Sequence, residues 1–247
     1  MFPHHPERKV SVMNTAQIFE IDPADRAFLF HALSQLLDYP DADLMTRIQD
    51  PAFIEDLETV LQQAGGGDDP ASLCAALALD FEDVHDRADV DTLLVEREKE
   101  YTHLCFASKP RQVHLFESVY RTGKLMQDCT FDIARLYHEA GLRPKDTFDL
   151  LPDHIALELE FMAYLSVEEA QAISSKDMPK AARARELQKK VLTDHLIFFG
   201  GRFSSALQQH ARSVFYRTVG RILGHVFADG SPCAAVSGTG AGECLKV

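Results

Sequence analysis

The stretch Leu151 to Glu158, LPDHIALE, sets a carboxylate beside an imidazole and adds a second carboxylate one helical turn on. An Asp-His pair does covalent chemistry when a Ser, Cys or Lys nucleophile stands near it. None is close to Asp153 and His154 in sequence. Asp153 suits a helix start instead, where a carboxylate faces the positive end of the helix. His154 and Glu158 then share one face, while Ile155, Leu159 and Met162 share another. Two readings stand side by side. One is capping plus an i,i+4 polar pair, worth roughly a few tenths of a kcal/mol. The other is the border of a binding surface.

A second constellation has metal-ligand chemistry. Glu82-Asp-Val-His85 and Glu100-Tyr-Thr-His103 both read E-x-x-H. Two such motifs with two further Glu residues make a di-iron site in ferritin-like bundles. The flank of the first motif, DFEDVHDRAD, is very polar, and no third and fourth ligands suggest themselves. A chain with 38 acids and 11 His also meets this spacing by chance. The alternative it leaves is a di-iron carboxylate enzyme built on Glu82/His85 and Glu100/His103. The RTGK at 121–124 lacks both the first glycine of a phosphate loop and the hydroxyl residue after Lys124. Cysteines stand at 74, 105, 129, 233 and 244, with no C-x-x-C pair. Cys74, Cys105 and Cys129 read as small buried hydrophobes, and Cys233 and Cys244 as thiols of the tail. No catalytic residue, metal site or bound cofactor is expected.

The elements that must position these groups read as helices. The 247 residues are 46% hydrophobic, enough for one large core or two small ones. "DPADRAFLFHALSQLLD" opens with Asp22 as N-cap and Pro23 at the first helical position. "PAFIEDLETVLQQAGGG" opens with Pro51 and closes in glycines. Further helices follow to about residue 140. The connector 141–152 comes next, and it has the makings of a hinge. Three long helices close the fold at about 153–173, 178–199 and 203–227. No alternating run supports a sheet. The expectation is an all-α bundle of roughly nine or ten helices. Residues 1–21 read as a disordered lead, 22–148 as an N-terminal helical part, 149–229 as a C-terminal helical part of the same domain, and 230–247 as a disordered tail.

Charge excludes one partner class. Residues 38–98 hold seventeen Asp or Glu against three Arg, a local −14, so the rest of the chain is close to neutral against a net of −13. A phosphate backbone is repelled, which argues against nucleic acid. The run serves as a solvated face or attracts a basic partner. No apolar run reaches the length of a membrane span. The first residues show no secretory pattern and no Arg-Arg pair, so the location expected is cytoplasmic.

Several segments together resemble a known family. Pro152-Asp153-His154-Ile155 followed by Glu158 and Glu160-Phe161-Met162 resembles the signature of the TorD family, which includes the DmsD and NarJ chaperones. "LLDYPDADL" at 36–44, "EYTHLCF" at 100–106, "FESVY" at 116–120 and "DHLIFFGGRFSSALQQHARSVFYR" at 194–217 resemble further family elements in the same order. The likeness runs from about Arg26 to Phe227. It departs at Cys105, inserted in effect between Leu104 and Phe106, and in the absence of Trp.

The resemblance implies a TorD-like bundle. It implies a cytoplasmic chaperone that binds the twin-arginine signal peptide, or the N-terminus, of the catalytic subunit of a dimethyl-sulfoxide-reductase-type molybdoenzyme. The subunit is held for insertion of molybdopterin guanine dinucleotide and kept from premature export. Contact with guanine nucleotide or with that dinucleotide stays open, as does a monomer or a domain-swapped dimer. A groove for such a leader needs an apolar floor and an acidic rim. Tyr101, Leu104, Phe106, Phe116, Val119 and Tyr120, with Ser118 of the same element, are the expected lining. Asp153 and Glu158, with His154 for recognition and the acidic 38–98 segment, are the expected rim.

Overall fold

Aspartate followed by proline starts helix after helix in this chain. The computed structural model describes residues 15–81, 84, 86–107, 109–143 and 150–227. Its helices are α1 (Thr15–Ile18), α2 (Pro23–Leu37), α3 (Ala42–Ile48), α4 (Pro51–Ala64), α5 (Pro70–Ala78), α6 (Arg87–Thr102), α7 (Glu117–Thr122), α8 (Asp128–Glu139), α9 (Ile155–Ser174), α10 (Met178–Val191), α11 (Ile197–His210) and α12 (Val214–Phe227). Asp22 accepts from the Ala24 N–H at 2.8 Å, and Asp50 and Asp69 cap the starts at Pro51 and Pro70 in the same way. Each cap satisfies a backbone donor that the helix itself leaves free, and the proline has no N–H to satisfy. Among the described residues there is no strand, only a two-residue antiparallel bridge between Phe116 and His154. The all-α expectation holds.

The core is built on α2 and α9, which lie along each other, with α10 on the other side of α9 and α11 against α12. Leu29, Leu33 and Leu36 of α2 and Leu159, Met162 and Leu165 of α9 are fully enclosed. One charged seam crosses this apolar layer. The Arg26 guanidinium donates to Gln188 Oε1 at 2.9 Å, to the Ile18 and Ile21 carbonyls at 3.3 and 3.1 Å, and to Glu169 Oε2 at 2.5 Å. Gln188 donates in turn to Glu169, and Ser166 donates to Gln188. Ile18 and Ile21 are buried here. The lead expected over 1–21 is therefore ordered helix and turn from residue 15, because Arg26 needs those two carbonyls.

Two further differences from the sequence reading have local causes. A break was expected between 199 and 203, where Gly200 and Gly201 stand. The helix instead runs to His210. A Cβ on Gly200 would lie 2.7 Å from the Phe227 ring, so the glycine lets α12 approach rather than ending α11. The end comes at Ala211, which is extended. The other difference is two π-helical turns, His103–Ala107 and Leu192–Leu196. Each absorbs one extra residue. The first lies at the Cys105 insertion.

The acids of the 38–98 segment face water: Asp41, Asp43, Asp50, Glu55, Asp56, Asp86, Asp89, Asp91 and Glu96 are all exposed. This is the solvated-face reading. Cys74, Cys105 and Cys129 are buried, as expected, and burial pushes the Cys74 and Cys105 thiols up to about 12. Cys233, Cys244, Glu82, His85 and residues 144–149 of the connector 141–152 lie outside the described residues.

Candidate functional site

The P-D-H segment and the S-V-Y segment meet. The Glu117 N–H donates to the Asp153 carbonyl at 2.9 Å, and the Ile155 N–H to the Leu115 carbonyl at 2.9 Å. Asp153 Oδ2 accepts from the Ser118 N–H at 2.9 Å, so it caps the first turn of α7 from across the molecule. His154 is the N-cap of α9. Its Nδ1 accepts from the Ala156 N–H at 3.2 Å, and its ring stands edge-on to Phe116 at 5.4 Å. Burial holds its imidazolium form down. Asp153 and His154 thus lock the starts of two helices together.

That geometry corrects the expected rim. Asp153, His154 and Glu158 are 0%, 2% and 0% exposed. They lie beneath the surface because the α7 start folds over them. Tyr101 and Leu104 are buried too. Tyr101 donates to the Leu37 carbonyl and packs among Tyr39, Phe106 and Tyr216. Phe106 is 51% exposed, turned outward within the π-turn at 103–107. Phe116, Val119 and Tyr120 are half-buried, with Tyr120 against Phe199 and Phe203. Of the expected lining, Tyr101, Leu104 and Ser118 are enclosed, and Phe106, Phe116, Val119 and Tyr120 keep exposed surface. Glu100 caps the start of α12 by accepting from the Arg212 and Ser213 N–H groups at 2.6 and 2.9 Å, and His103 lies 3.1 Å from Arg212. This half of the di-iron motif has a capping role.

Behind the junction lies a charged cluster that the sequence reading missed in part. Glu117 Oε1 accepts from Arg121 Nε at 2.6 Å, and Glu117 Oε2 lies 2.8 Å from His195 Nδ1. Glu158 projects to the same point from α9: ligand atoms of Glu117, Glu158 and His195 lie within 4.8 Å of one another. Among the described residues, no donor reaches either oxygen of the Glu158 carboxylate. Asp153 Oδ1, Ser118 Oγ and Thr130 Oγ1 are also buried without a partner. Burial first, then the neighbouring Glu117 and Asp153, push the Glu158 carboxyl well above the ordinary carboxylate range, against the pull of Arg121. Glu117 was in view inside "FESVY". His195 stands in "DHLIFF", which repeats the Asp-His pair of 153–154. It reaches the cluster from the π-turn of 192–196, which no spacing rule anticipates.

A cleft of about 430 Å³ opens beside this cluster, lined by residues of α7, α8 and the 192–196 turn. Four acids, Asp128, Asp132, Glu139 and Asp194, face two arginines, Arg121 and Arg135, and His195 and Cys129 lie at its inner side. Phe131 of α8, and Leu125 and Met126 in the segment leading into it, are exposed.

A family model for the nitrate reductase delta subunit matches residues 68–205, more than half of the chain. The match encloses Glu117, Asp153, Glu158 and His195. Among solved structures, a crystal structure of a redox enzyme maturation protein from Archaeoglobus fulgidus is 18% identical, with a TM-score of 0.47, and the match covers 90% of this chain and 94% of that one. No curated protein matches the chain.

Proposed function

The chain belongs to the nitrate reductase delta subunit family, of redox enzyme maturation chaperones rather than enzymes, and from that premise we propose that it binds the leader of a client subunit. The client is the catalytic subunit of a molybdopterin-containing oxidoreductase of the dimethyl-sulfoxide-reductase type. Its twin-arginine signal peptide or N-terminus is held in the cytoplasm during cofactor insertion, and premature export is blocked. No helix among the described residues is long and apolar enough to cross a membrane.

The observation that carries this reading is the cleft beside α8. Its acids outnumber its arginines four to two, and Leu125, Met126 and Phe131 stand exposed on the same segment. A leader of this type has a basic start and an apolar middle, and such a peptide fits an apolar surface with acidic groups at one side. The carboxylates raise the encounter rate and favour basic peptides more than they add affinity. Ordering the peptide costs roughly 2–5 kcal/mol of the gross gain. Binding is accordingly reversible, as a holding chaperone requires.

Calorimetric titration of the whole chain with a synthetic twin-arginine leader tests it. Binding that weakens with added salt is expected, and Asp128→Lys with Asp132→Lys should weaken it at least about fivefold. A leader that gives no heat, or a charge reversal without effect, removes this cleft from the function.

A further inference from the structure

We propose that Glu117, Glu158 and His195 bind one divalent cation of the zinc class, buried where α7, α9 and the 192–196 turn converge. The proposal goes beyond leader binding and does not depend on it.

The donor set is the first argument. One imidazole nitrogen and two carboxylate oxygens, drawn from three separate elements, lie within 4.8 Å of one another. Imidazole and carboxylate together suit zinc and similar ions. The three residues lie far apart in sequence, so the convergence belongs to the fold and not to a local turn.

The second argument is independent of it. Glu158 is fully enclosed, and both of its oxygens lack a donor among the described residues. Buried carboxylates in folded proteins are almost always hydrogen-bonded or metal-bound. Three carboxylates, Glu117, Asp153 and Glu158, act on this point against one guanidinium, that of Arg121. A dication corrects both deficits at once. It satisfies the Glu158 oxygens and offsets the excess negative charge.

The surroundings fit a ligand sphere. Arg121 holds Glu117 Oε1 at 2.6 Å and leaves Oε2 facing His195. Such outer contacts fix a carboxylate ligand in place. Asp153, which acts on Glu158, has an Oδ1 without a partner among the described residues and available to ion-bound water. The cleft reaches His195 and provides a path for the ion.

The test uses untagged whole chain stripped with a chelator and titrated with Co²⁺, whose visible absorption reports its ligands, followed by Zn²⁺ in competition. One equivalent with intensified absorption is expected, displaced by Zn²⁺. Glu158→Gln and His195→Gln, each checked for native helicity, should each weaken binding at least about tenfold. Glu160→Gln, an exposed carboxylate on the same helix, should leave it unchanged. Absorption that stays that of the aqueous ion overturns the proposal, as does Glu158→Gln binding as tightly as wild type. So does an infrared band of a neutral carboxylic acid, absent from Glu158→Gln, that persists in the wild type at saturating Zn²⁺.

Discussion

The Arg26 seam and the Glu117–Glu158–His195 cluster both put charge where water does not reach, and α9 contributes to each. At one end of α9 Glu169 meets Arg26, Arg185 and Gln188, and both of its oxygens accept hydrogen bonds. At the other end Glu158 accepts none from the described residues. The first arrangement is complete within the chain, and its members tie α1, α2, α9 and α10 together. The second is incomplete. A buried carboxyl left without a hydrogen-bond partner costs about 1–3 kcal/mol, more if it is ionised. A fold that tolerates one does so where something else arrives, and the cleft lies beside this cluster and not beside the seam.

Three measurements bear on that contrast. The largest effect is expected at the seam. Arg26→Ala removes the buried cation that meets Glu169 Oε2, Gln188 Oε1 and two carbonyls, leaves a cavity in the core, and should cost about 3–5 kcal/mol by urea unfolding. A loss below about 1 kcal/mol would mean the seam is not what joins α2 to α10. At the incomplete site the direction reverses. In chelated protein, Glu158→Gln breaks no hydrogen bond and removes an acid from a carboxylate-rich interior. Stability should hold or rise, by up to about 2 kcal/mol. A clear drop would show that Glu158 already has partners, and the contrast would fail.

The smallest effect is expected at the His31–Glu160 pair, 2.9 Å apart and with both side chains about half exposed. Glu160→Gln should cost less than about 1 kcal/mol, since water screens the pair. The hydrogen bond from His31 holds the Glu160 carboxyl below its ordinary range. A group depressed on folding contributes stability above its unfolded value and loses it as pH falls through the lowered one. The wild type's advantage over Glu160→Gln should therefore vanish well below about pH 4. An advantage that survives there would assign it to packing.

Helix starts such as Pro23 and Pro51 were legible because proline suits the first helical position and Asp22 supplies its own cap, and both are local effects. The meeting of P-D-H with S-V-Y was legible only through family resemblance. Its depth was not. Asp, His and Glu are usually surface residues, and nothing in LPDHIALE says that the start of α7 will cover them. Gly200 misled for a related reason: a glycine that admits Phe227 looks the same in sequence as one that ends a helix. His195 was out of reach of pattern reasoning, since a π-turn breaks the period on which pattern depends.

That turn has a wider consequence. From Met178 to His210 the chain is one rod with a phase slip in its middle. An added residue advances the angular position of everything beyond it by about 100°. The stripe that α10 presents to α9 is thereby carried round, and α11 presents its own to α12. A single shaft serves two neighbours that no straight helix of this sequence would satisfy together. His195, held at the offset, is the side chain turned to neither of them but to Glu117 of α7.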